Sequence, residues 1–123
     1  MPTPTVYTPL RLIISQQLTT SSNTLYTVPA VTTAQLTGIY CINTGTFHAT
    51  VTIHLLESAA IADNAHLFAN AVTIPPDGMP FSIVGGDWPA QPQSIYMNAA
   101  DFLQAKASNN NQITIHISGV ELA

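Results

Sequence analysis

Four histidines, one cysteine and six carboxylates are the side chains here that could hold a metal or move a proton. They are His48, His54, His66 and His116, Cys41, and Glu57, Asp63, Asp77, Asp87, Asp101 and Glu121. A zinc site gathers three or four such ligands around one point. His48 and His54 share one face of an alternating stretch, but six residues of extended chain hold them about 20 Å apart. His54 and His116 become neighbours only if their strands pair. Both stand on the polar side of their strands, which makes them solvated or interface histidines. A metal would need an oligomer axis bringing copies of one histidine together. No metal or other cofactor is expected.

Nucleophilic chemistry fares no better. Cys41 sits mid-strand between Tyr40 and Ile42, with no cation near it in sequence to lower its pKa, and reads as a small buried hydrophobe. No G-x-S-x-G turn presents a serine. Ser118-Gly119 follows a strand but does not lead into a helix. Asp77, Asp87 and Asp101 each lie in a turn context, where aspartate bonds its own backbone. Asp63-Asn64 is the only adjacent pair of calcium-type ligands, without a D-x-D-x-D-G loop. Gly85-Gly86 precedes neither a lysine nor a helix start, so it is no phosphate loop. Trp88, in a Gly/Pro loop with Tyr96 or Phe81 in reach, is either a loop anchor or a platform for a sugar ring. An enzyme is not expected.

The rest of the composition narrows the partners. Charged residues make up 7% of the 123 residues, against about 25% in an ordinary soluble domain. Arg11 and Lys106 are the only basic side chains besides histidine, and the formal net charge is −4. Two cations cannot neutralise a run of phosphates, which excludes nucleic acid and anionic membrane surfaces as partners. No apolar run has the length of a membrane span. Met1-Pro2-Thr3-Pro4-Thr5 lacks the basic and apolar regions of a secretory signal. One cysteine excludes an internal disulfide. The exterior must be built from Thr, Ser, Asn and Gln, which hydrogen-bond without strong repulsion.

The elements that position these residues read as strands. Residues 1–9 are an extended, Pro- and Thr-rich arm, and residues 10–123 form one domain. Strands are expected at Leu10–Leu18, Thr24–Val28, Ala34–Asn43, His48–Leu56, Leu67–Ile74, Phe81–Val84, Ser94–Met97, Phe102–Ala107 and Gln112–Val120. In the third, Leu36, Tyr40 and Ile42 are placed on one face, Ile39 and Cys41 on the other. In the fourth, Val51, Ile53 and Leu55 oppose Thr50, Thr52 and His54 with the period of a half-buried strand. Glu57–His66 reads as loop with at most one helical turn. Pro75-Pro76-Asp77-Gly78 is a turn. This cadence predicts an all-β domain: a sandwich or jelly-roll-like barrel of about eight short antiparallel strands. Strand order, which separates a jelly roll from an immunoglobulin-like sandwich, is not visible.

Several segments resemble small virion proteins of tailed bacteriophages. Thr24-Leu25-Tyr26-Thr27-Val28-Pro29-Ala30-Val31-Thr32-Thr33-Ala34 is similar to the "LYTVPAG-x-TA" segment of that group. Val51-Thr52-Ile53-His54-Leu55, Leu103–Ser108 and Ile113–Glu121 resemble its later strands. Val31 stands where the group has Gly, and Ala100 before Asp101 where it has a Gly-Asp turn. The resemblance implies a structural, non-enzymatic protein, most like a capsid decoration (cement) protein. Its implied partners are the major capsid protein and copies of itself, as a homotrimer on the shell of the virion. The arm residues Pro2, Thr3, Pro4, Thr5, Val6 and Tyr7, together with Trp88, are the expected partner contacts. The alternative is a tail or fibre module that binds a host glycan through Trp88.

Overall fold

A computed structural model describes residues 9–57, 64–85 and 94–122. Nine strands follow in order: β1 (Pro9–Gln17), β2 (Asn23–Thr27), β3 (Thr33–Asn43), β4 (Ala49–Leu56), β5 (Leu67–Ile74), β6 (Phe81–Val84), β7 (Ile95–Met97), β8 (Phe102–Ala107) and β9 (Ile113–Leu122). The only helical element among the described residues is one 3₁₀ turn, Asn64–His66. Strand-favouring β-branched residues and punctuation by Pro, Gly, Asn and Asp account for this, as at Pro75–Gly78 between β5 and β6.

The strands form two antiparallel sheets, one ordered β1-β9-β3-β6 with β7 also on β3, the other β2-β8-β4-β5. Pairs β1–β9, β2–β8, β3–β6 and β4–β5 all occur. The chain is thus one long hairpin, its second half returning against its first. Rolling that hairpin brings β9 against β3 and β8 against β4. This connectivity is a jelly roll, with β7 as an added short strand.

The core lies between the sheets. Ile113, Ile115 and Ile117 of β9 face Val51 and Ile53 of β4 and Leu103 and Ala105 of β8 in one buried cluster. At about 25 cal/mol per Å² of apolar surface removed from water, such a cluster is the main stabilising term. A Cβ at Gly119 would overlap the Gln35 carbonyl, so glycine there lets β9 run close against β3.

Two facing assignments change. In β3, a register shift between Leu36 and Gly38 inserts Thr37 and reverses the phase, so Leu36 joins Ile39 and Cys41 inside while Tyr40 and Ile42 stay outside. In β4, the alternation holds as read, but His54 is not solvated. It is 8% exposed, and Leu56 on the same face is buried as well. Neither belongs to the central core cluster. The 3₁₀ turn packs against β4, and the β4–β5 pairing is bulged on both sides of Ile53. The outer face of the four-stranded sheet is thus buried at His54 and Leu56.

Candidate functional site

The outer face of the five-stranded sheet carries the one cluster that resembles chemistry. The β-ladder aligns Ser15 with His116, His116 with Tyr40, and Tyr40 with Ser82. Ser15 Oγ and His116 Nδ1 are 2.8 Å apart. The His116 and Tyr40 rings stack, with centroids 5.1 Å apart at 24°. A hydroxyl bonded to an imidazole is half of a nucleophilic device. Among the described residues no carboxylate hydrogen-bonds His116, and Ser15 lies in mid-strand, not at a sharp turn that could offer an oxyanion hole. Tyr96, opposite Gln35 and five residues along β3 from Tyr40, is exposed. The face can stack and hydrogen-bond.

His54 and His116 stand in different sheets, so they are not cross-strand neighbours. His54 Nδ1 is buried without a hydrogen-bond partner. His48 precedes β4 and is exposed, and His66 closes the 3₁₀ turn. Among the described residues no three His, Cys, Asp or Glu side chains gather as metal ligands. Cys41 is fully buried, and burial pushes its thiol up to about 12, far from a thiolate nucleophile.

Three of the four described carboxylates, Asp77, Asp101 and Glu121, accept hydrogen bonds within the fold. Asp77 Oδ1 accepts the Met79 N–H at 2.9 Å, and Asp101 Oδ2 accepts the Asn98 N–H at 2.8 Å, the turn role read from sequence. Glu121 Oε1 accepts the Tyr26 hydroxyl at 2.9 Å. Burial, then the bond and charge of Glu121, push the Tyr26 phenol well above its ordinary value. The sequence carries no local signal for this pair, since 95 residues separate its members.

The two ends of the roll differ. At one, Asn43 is fully buried and uses its whole amide: Nδ2 donates to Phe47 O and Ile74 O, each at 2.9 Å, and Oδ1 accepts Gly45 N–H. Gln112 Nε2 adds a second bond to Phe47 O at 2.6 Å. The Phe47 side chain itself is 74% exposed on this clamped loop. At the other end, backbone bonds join the β2–β3 turn to the β7–β8 turn: Val28 N–H to Asp101 O and Ala100 N–H to Val28 O. Here Val31 (φ +58°, 91% exposed) and Ala100 (φ +70°) occupy the left-handed region. For a β-branched residue that is a strained state.

The expected contacts Pro2, Thr3, Pro4, Thr5, Val6, Tyr7 and Trp88 lie outside the described residues. No helix among the described residues is long and apolar enough to cross a membrane. Compared with protein-family models, curated proteins and solved structures, the chain matches none.

Proposed function

We propose that this jelly roll is a non-enzymatic structural protein of a tailed-phage particle, bound to the outside of the capsid shell as a decoration protein. The observation that carries the reading is the connectivity, β1-β9-β3-β6 over β2-β8-β4-β5, joined to an exterior almost without charge. Jelly rolls serve in viral shells and in lectins, which is support by fold analogy. A surface of hydroxyls and amides can be packed against another protein without the cost of desolvating ions. Two details support the resemblance behind this reading. Val31 and Ala100, standing where the resembled proteins have Gly, are both in the left-handed backbone region where glycine is the favoured residue.

The proposed action is thermodynamic. A protein that binds the assembled shell and not its free subunits stabilises the shell by mass action. Contacts to several subunits at once add avidity. The major capsid protein is the proposed partner, and the virion surface the proposed location. Labelled chain imaged on intact particles by electron microscopy tests this. Density on the outer shell is the expected result; density confined to the tail overturns it in favour of the fibre reading.

A further inference from the structure

The sheets have exposed edges, and all but one are blunted. Strand β6 has four residues and β7 three. Strand β2 has five, with a register shift at Leu25. Strand β5 is longer but bulged, with Ala71 at φ +49°. Strand β1 is the exception. It runs nine residues, Pro9 to Gln17, in unbroken register with β9, and among the described residues no strand pairs with its other side. Its sequence, PLRLIISQQ, carries a single charge, Arg11, and its one proline stands at the first position, where it does not interrupt the ladder. That is about 30 Å of strand edge with no strand partner among the described residues. Natural proteins blunt or cover such edges, because a bare one recruits another strand.

We infer that β1 pairs antiparallel with β1 of a second copy of this chain, joining two five-stranded sheets across a two-fold axis. Full overlap of two nine-residue strands puts Ile13 on the axis. Pro9 then meets Gln17, and Arg11 meets the second copy's Ser15. Residues of equal parity meet throughout, so the core-facing and outward-facing rows each continue across the junction. The charges agree with this register. Shifting the axis to residue 11 would oppose Arg11 to itself and leave five residues in overlap. Every described acid lies off β1: Glu57 just beyond β4, Asp77 and Asp101 in turns, and Glu121 on β9, bonded to Tyr26. Two molecules of net charge −4 thus meet along a strand without an acid. The pairing needs no shell, and it is two-fold where the phage resemblance implies a trimer.

Sedimentation of the full chain from micromolar to millimolar concentration tests the inference, with Ser15→Glu and Ser15→Lys alongside. Ser15 is exposed, so the fold has room for both side chains, and a denaturant melt of each monomer checks that it is folded. Glutamate at position 15 faces Arg11 of the other copy, and lysine faces it with like charge. The expected result is a concentration-dependent dimer. Ser15→Glu should tighten it by roughly three- to tenfold and Ser15→Lys should loosen it by a similar factor. A protein that stays monomeric throughout, a trimer, or a shift of both variants in the same direction overturns the inference. None of these results bears on where the chain sits on a particle, so the decoration reading is tested separately.

Discussion

The two ends of the roll solve the same problem in different ways. Each must turn the chain between sheets and satisfy the backbone groups that leave the ladders. At the Asn43 end, side-chain amides reinforce backbone bonds such as Thr44 N–H to Gln112 O. One buried amide ties the β3–β4 loop to the end of β5, and Gln112 and Asn110 reach neighbouring loops, the latter accepting Thr20 N–H at 2.8 Å. At the Val31 end backbone bonds join the two turns, and Val31 and Ala100, neither with a side chain suited to it, take up left-handed conformations. The first end is held by a network whose loss leaves buried groups unpaired. The second holds strain that a simpler residue would relieve. Stability should therefore respond with opposite signs to substitutions at the two ends.

Alkali should have the largest effect and act near both ends. Cys41 lies two residues before Asn43, and Tyr26 lies toward the Val31 end. Both are held neutral in the fold, Cys41 up to about 12 from 9.0 and Tyr26 also raised. The unfolded chain ionises at the ordinary values while the folded chain does not. Stability is then whole below about pH 9 and falls as pH rises toward 12, at about 1.4 kcal/mol per pH unit for Cys41 alone. Denaturant melts across this range measure the slope. Cys41→Val should remove the part that begins near pH 9, and a slope unchanged by that variant would assign the loss elsewhere.

Next in size is Asn43→Ala. It strips a partner from Ile74 O and Gly45 N–H, while Phe47 O keeps its bond to Gln112. Leaving buried groups unpaired should cost about 2–4 kcal/mol, read as a lower denaturant midpoint. Val31→Gly is the smallest and carries the opposite sign. Relief of left-handed strain, less the added chain entropy of glycine, should stabilise by about 1 kcal/mol. If both variants destabilised equally, the contrast between the ends would be lost.

Much of the fold was legible in the residues. Threonine alternating with Val51 and Ile53 marked β4, and the Pro75–Gly78 turn marked the end of β5, because both are local properties of a chain that alternates or must bend. The self-bonded turns at Asp77 and Asp101 were legible for the same reason. The phase reversal at Thr37 was not. A bulge is set by what the partner strands demand, and nothing near Thr37 announces it. The burial of His54 is not visible in the sequence because alternation tells which face a residue takes, not whether that face is covered. The outward row of Ser15, His116 and Tyr40 needed the register of three strands.

Composition and periodicity alone determined that this chain is a charge-poor stack of short strands. Such properties are sums over residues and nearest neighbours, so a linear reading contains them. Only the tertiary structure decided that the strands roll up as a returning hairpin, that β1 is the long unbroken edge among the described strands, and that Val31 and Ala100 bend where glycine would be easier. Those outcomes depend on hydrogen bonds between residues up to about a hundred positions apart, Ser15 and His116 among them, and no local rule can supply a partner that distant.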